Sequence, residues 1–315
     1  MRRHGLSCDH LVAADLLTAD GEILTVSEEK QPDLLWALRG GGGNFGIVTR
    51  FVFRAVQLQP DVLAGTVLFP LEEAAEVLRR YRDRAAELPD EVTTVVALRT
   101  VLPLPVFPTA LHGQRVVVIG VCHAGDPAEG QELIAALRTL GSALFDTVMI
   151  KPFTAHQQTF DATVPPGLGY YWKSHFLERL SDEAIEVLVE HNRQALPPWS
   201  YTVMFQLGGA ISRVAPESTA YVERDAAFAV NINGVAEAPA DDETVIGWTR
   251  GCFEALAPHA TGGVYVNFLG NEGDERVRAA YGHHYERLTA LKARYDPDNV
   301  FRINQNIRPI APPPA

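Results

Sequence analysis

The chain has 315 residues, 47% of them hydrophobic, which is enough to bury a sizeable core. Its 27 basic residues against 39 acidic ones leave a net charge of −12, a balance that disfavours nucleic acid or any other polyanionic partner. No apolar run approaches the roughly 20 residues a membrane helix needs and no secretory signal precedes the first strand, so no membrane contact and a cytoplasmic location are expected. In chain order, strands at 11–17 and 22–27 form a hairpin closed by Asp20-Gly21, a dipeptide suited to a tight turn. A short helix at 32–39 begins on Pro32, carries Asp33 in its first turn and runs out into glycine. Residues 47–53, rich in β-branched and aromatic side chains, read as a buried strand. A charged amphipathic helix at 71–88 precedes strands at 92–102 and 115–122, with Pro103, Pro105 and Pro108 marking the loop between them. Helices at 127–140, 181–196 and 242–256 alternate with strands at 170–177, 200–211, 226–234 and 263–269. Ser181 caps the second of these helices, ahead of Asp182 and Glu183. The last helix carries Val277, Tyr281, His284, Leu288, Leu291 and Tyr295 at steps of four and three, one inward stripe. This grouping predicts an α+β fold, an antiparallel sheet with helices over one face.

The four consecutive glycines Gly40 to Gly43, followed by Asn44-Phe45-Gly46, are the most informative local feature. Glycine loses more backbone freedom on folding than any other residue, so such a run implies backbone that must approach a ligand or another strand closely. Gly41, Gly43 and Gly46 have the spacing of a dinucleotide-binding turn. That turn requires strand, loop, helix, whereas the order here is helix, loop, strand, which argues against a nicotinamide site. Three cysteines, Cys8, Cys122 and Cys252, lie far apart without metal-like spacing and suit a reducing compartment. No histidine pattern indicates a metal; His283 and His284, adjacent on a helix, diverge and make a poor pair of ligands.

The segments Gly5-Leu6-Ser7-Cys8-Asp9-His10, Ala14-Asp15-Leu16-Leu17-Thr18-Ala19-Asp20-Gly21 and Asp33-Leu34-Leu35-Trp36-Ala37-Leu38-Arg39 leading into the glycine loop resemble the berberine bridge enzyme-like family of FAD-linked oxidoreductases. The resemblance recurs near the other end, in Tyr295-Asp296-Pro297-Asp298-Asn299-Val300-Phe301-Arg302 and Ile303-Asn304-Gln305-Asn306-Ile307-Arg308-Pro309. It implies the second half of a PCMH-type FAD-binding domain with an inserted substrate domain of antiparallel sheet plus helices. The flavin part would comprise residues 1–60 and 271–315, and the substrate part residues 61–270. It also implies that a first flavin subdomain, with the pyrophosphate loop and the flavin-attaching histidine, lies outside this chain, missing or supplied in trans; neither His4 nor Cys8 sits in the attachment motif. The chain would otherwise be a silent fragment or a binding subunit.

By the same resemblance FAD is the cofactor, a small molecule the substrate, and hydride removal from an alcohol or amine carbon the reaction, with dioxygen as final acceptor. The residues implied in cofactor binding are Gly41, Gly42, Gly43, Asn44, Phe45, Gly46, Ile47 and Val48 with the amide cluster Asn304, Gln305 and Asn306. Strand alternation places Tyr265 and Asn267 on one face of 263–269 and Val264, Val266 and Phe268 on the other, a pattern shared by pocket-lining and half-exposed strands. Relatives carry Tyr-x-Asn-Tyr there, with Phe268 replacing the second tyrosine, so Tyr265 is the candidate base and Asn267 its neighbour. Gln206, on the face of Thr202 and Met204, would orient substrate over the flavin or face solvent. Lys173 reads as a lysine on an exposed strand face, although Lys173-Ser174 matches a pair common in relatives. His284 either sits satisfied in the core or touches the cofactor or its covering loop.

Overall fold

A computed structural model describes residues 1–310 except Ala195, Asn271 and Asn304. β1 (Leu11–Leu17) and β2 (Ile23–Ser27) pair as the expected hairpin, with Gly21 at φ 87° in the turn. α1 (Pro32–Leu38) buries Leu34, Leu35, Trp36 and Ala37. β3 (Ile47–Phe53) returns antiparallel along β1, completing a three-stranded sheet in the order β2-β1-β3. The expectation of a buried strand is corrected here: β3 is an edge, and Ile47, Phe51 and Phe53 are about half exposed. β-branched and aromatic composition reports fitness for a pleated surface, not which surface is covered.

The larger sheet is built from β4 (Asp61–Pro70), β5 (Val92–Thr100), β6 (Arg115–His123), β7 (Phe145–Asp146), β8 (Met149–Pro152), β9 (Gly169–Leu177), β10 (Tyr201–Gln206) and β11 (Phe228–Ala236). Every pairing is antiparallel, in the order β7-β4-β6-β5-β10-β11-β9, with β8 on the opening half of β4. β4 has no counterpart among the sequence expectations. Its residues from Val62 to Phe69 are all buried, so it shows a continuous apolar run rather than alternation. Gly65 is required within it, because a Cβ there would sit 2.5 Å from the Thr147 carbonyl oxygen.

Helices α2 (Ala74–Glu87), α3 (Pro127–Ala135), α5 (Asp182–Arg193) and α7 (Asp242–Leu256) supply the cover, with α4 (Phe153–Gln157) and α6 (Ala210–Arg213) as short connectors. Ser181 Oγ accepts the Ala184 N–H at 3.2 Å and Asp126 accepts that of Ala128 at 2.8 Å, which fixes where α5 and α3 begin. Leu78, Tyr81, Leu188 and Trp248 pack on Val67, Val96, Ile119, Met204 and Ile232 in one core. Each fully buried Leu, Ile or Val there stabilises by about 1.5–3 kcal/mol. A second core joins α1 and Phe45 to α8 (Asp274–Tyr281) and α9 (Tyr285–Tyr295). No helix among the described residues is long and apolar enough to cross a membrane.

Three further expectations are corrected. Strand 200–211 stops at Gln206, because Gly208 at φ 83° and Gly209 at φ 62° turn the chain into α6. The last helix is two helices, broken at Gly282 (φ 47°) and joined by the 3₁₀ turn Gly282–His284; Val277, Tyr281, His284, Leu288 and Leu291 nonetheless all face inward. Residues 263–269 are not a strand. With no partner strand among the described residues, the backbone bonds locally, Phe268 N–H to Tyr265 O at 2.8 Å, around the turn Val266–Phe268.

Candidate active site

The glycine loop and the amide cluster, some 260 residues apart, meet through Asn44. Its Nδ2 donates to Gly41 O at 2.9 Å and Gln305 O at 3.1 Å, and its Oδ1 accepts the Ile307 N–H at 2.9 Å. From beneath, Lys292 Nζ donates to Asn44 O and Phe301 O at 2.7 Å each and pairs with the buried Asp296 carboxylate. Burial pushes the Asp296 carboxyl up, but the Lys292 hydrogen bond and the Phe301 and Val300 N–H groups outweigh it and hold it below the usual carboxylate range. The glycines are needed for protein contacts. A Cβ on Gly40 would lie 2.5 Å from Tyr221 N and one on Gly41 2.5 Å from Ala37 O, while at Gly46 it would collide with Leu17 O.

Two expected roles shift accordingly. Asn44 and Phe45 direct their side chains into the protein, Asn44 as the clamp just described and Phe45 fully buried in the smaller core. Gly42 and Gly43 are exposed at the loop tip, as is Ile47, with Val48 half-buried. Gln305 donates to Leu269 O at 2.7 Å, and Asn306 Oδ1 is buried with no partner among the described residues; both line a groove of about 400 Å³ with Arg302 and Arg308. Asn304 lies outside the described residues.

An apolar pocket of about 170 Å³ opens on the uncovered face of the large sheet. Phe176 on β9, Ala229 on β11 and Phe205 on β10 stand side by side in register across its floor. Its rim carries Leu6, Tyr221, Tyr265 and Phe268. The turn at 266–268 puts Tyr265 and Phe268 together, ring centroids 5.1 Å apart, so the expected separation of Phe268 from Tyr265 is reversed. Tyr265 Oη accepts a hydrogen bond from Asn267 Nδ2 at 2.7 Å. Burial, then the neighbouring Tyr265, pushes the Tyr221 phenol up.

Gln206 is corrected as a pocket residue. It occupies the helix-covered face, donating to Ala85 O at 2.7 Å and accepting from Thr94 Oγ1 at 2.7 Å, so its amide is occupied in the core. Lys173 too is not free on the surface: it pairs with Glu272 at 2.6 Å. Sequence reasoning missed the rung beside the pocket floor, where Ser174 and Asn231 pair in register and leave Ser174 Oγ and Asn231 Oδ1 buried without partners among the described residues. It also missed the buried pair that builds the pocket wall. Arg224 donates to both Asp9 oxygens, at 2.7 and 3.1 Å, tying the turn that carries Leu6 to the segment that carries Tyr221. Burial pushes the Cys8 and Cys252 thiols up to about 12 and Cys122 to about 11, so none is a nucleophile at neutral pH.

A larger cleft, about 810 Å³, runs between Phe53–Leu58 after β3, the first ten residues and β5–β6, and Met1 lines both it and the pocket. One more correction concerns His283 and His284. The break at Gly282 turns both imidazoles toward Glu217 instead of letting them diverge.

A family profile described as "Berberine and berberine like" matches residues 264–308. The chain is 32% identical over 320 residues to the uncharacterised FAD-linked oxidoreductase YgaK of Bacillus subtilis, covering 98% of this chain and 67% of that protein. It is 26% identical to (R)-6-hydroxynicotine oxidase of Paenarthrobacter nicotinovorans, over 98% of this chain and 67% of the relative. In fold it is similar to the crystal structure of 6-hydroxy-D-nicotine oxidase from Arthrobacter nicotinovorans, with a TM-score of 0.83 at 24% identity, over 96% of this chain and 67% of the other. A xylooligosaccharide oxidase from Myceliophthora thermophila, in complex with xylobiose, gives a TM-score of 0.82 at 21% identity, over 98% of this chain and 68% of the other. The chain spans about two thirds of the length of the curated relatives it matches.

Proposed function

Since the chain belongs to the berberine bridge enzyme-like family of FAD-linked oxidoreductases, we propose that it carries the substrate side of an FAD-dependent oxidase site that removes a hydride from an alcohol or amine carbon of a small molecule. The observation that carries this reading is the Tyr265 hydroxyl, held by Asn267 at 2.7 Å on the rim of an otherwise apolar pocket. FAD, when bound, supplies the hydride acceptor. The residues present fit such a group: the Gly42-Gly43 backbone is open just before Asn44, which bonds Gln305, the neighbouring Asn306 Oδ1 is buried without a partner among the described residues, and separately an 810 Å³ cleft shares Met1 with the pocket. A flavin half complementing this chain would dock on the exposed apolar strand β3. In this reading residues 61–270 form the substrate unit and the rest belongs to the flavin unit.

Asn267 donates to Tyr265 Oη and fixes its position; with its own proton given up, the phenolate oxygen would take the substrate proton that leaves with the hydride. Phe176, Phe205, Tyr221 and Phe268 exclude water and clamp an apolar ring. The relative named for 6-hydroxynicotine oxidation supports a substrate with such a ring. Tyr265→Phe in the flavin-loaded protein is expected to slow single-turnover flavin reduction by about 100-fold or more. An unchanged rate removes Tyr265 from the chemistry.

A further inference from the structure

We propose that Glu217, His283 and His284 form a binding site for a divalent transition-metal ion of the zinc class, which clamps the segment between β10 and β11 to the turn joining α8 and α9. On a continuous helix, neighbouring side chains point about 100° apart. Gly282, at φ 47°, replaces that geometry with a 3₁₀ turn and brings the two imidazole centroids to 4.1 Å. His283 Nε2 then lies 3.2 Å from Glu217 Oε1 and His284 Nε2 3.3 Å from Glu217 Oε2. Ligand atoms bound at about 2.0–2.1 Å around a tetrahedral zinc are separated by roughly 3.3 Å, so each imidazole nitrogen stands about one ligand–ligand separation from an oxygen of the Glu217 carboxylate, either of which can bind the ion. The three donor atoms all lie within 4.8 Å of one another.

The second observation is His284 itself. It is 2% exposed, and neither ring nitrogen has a partner in hydrogen-bond geometry among the described residues. A buried polar group in that state carries a desolvation penalty that a bound ion removes. Two imidazoles and one carboxylate suit zinc, nickel or copper better than magnesium or calcium. Glu217 and His283 are exposed, leaving the fourth position to water.

The ion would act on the pocket through a short path. Glu217 O accepts the Trp36 indole N–H at 2.9 Å, and three residues on, Ala220 N–H donates to Arg39 O at 3.0 Å, just before Tyr221 on the pocket rim. The inference is independent of flavin binding. Its test is titration of the full, untagged chain with Zn²⁺ and with Co²⁺. One ion per chain at micromolar affinity is expected, with Co²⁺ gaining the visible absorption of a four-coordinate site and Zn²⁺ raising the melting temperature. In Glu217→Gln and in His283→Asn, both at exposed positions, affinity is expected to fall at least about tenfold, and acidification through the histidine range is expected to release the ion. Absence of binding, or binding unchanged when Glu217→Gln and His283→Asn are combined, overturns the proposal.

Discussion

Replacing Arg224 by methionine tests how the pocket wall is held. The guanidinium is 2% exposed, donates to both oxygens of Asp9, to Thr219 Oγ1 at 2.5 Å and toward Ile211 O at 3.5 Å, and lies 4.9 Å from the Tyr221 ring centroid. Methionine keeps most of the volume but leaves the Asp9 carboxylate, whose side chain is 8% exposed, with the Leu6 N–H at 2.8 Å and the weak Cys8 thiol contact. Breaking a buried pair from one side in this way costs about 3–5 kcal/mol, because the remaining charge is uncompensated. Asp9→Leu combined with Arg224→Met removes both charges and is expected to recover most of that loss. Urea unfolding of the two single variants and the double variant measures the coupling directly. A single-variant loss below about 1 kcal/mol, or a double variant no more stable than the singles, would show that the pair does not hold the wall.

Three other outcomes concern single residues. The Asp296 carboxyl, held below its ordinary value near 3.9, contributes stability that is fully present above that value and is lost as pH falls through its lower folded one. Below about pH 4, the Val300 and Phe301 amide protons, which Asp296 accepts, are expected to lose hydrogen-exchange protection before those of the large sheet. Gly40→Ala, at φ 125° with a Cβ 2.5 Å from Tyr221 N, is expected to cost about 1–3 kcal/mol. The same change at Gly247, an exposed position inside α7 with open space around it, is expected to stabilise by about 0.5–1 kcal/mol, and chemical denaturation distinguishes the two signs.

What the sequence by itself determined is local. The Asp20-Gly21 turn, the Pro32 start of α1, the Ser181 cap of α5 and the inward stripe through Val277, Tyr281, Leu288 and Leu291 all follow from contacts within a few residues, and so did the family resemblance. Which face of each strand is covered was decided by tertiary packing. Gln206 went to the helices and Phe205 to the pocket because α2 and Leu6 come from other parts of the chain, and β3 kept an exposed face although its composition matches a covered strand. Long-range meetings were likewise illegible. Asn44 with Gln305, Asp9 with Arg224, and Glu217 with His283 are separated by 261, 215 and 66 residues, and no pattern within one segment encodes its distant partner. A local conformation also decided one of them: Gly282 at positive φ breaks the helical periodicity on which the divergence of His283 and His284 was predicted.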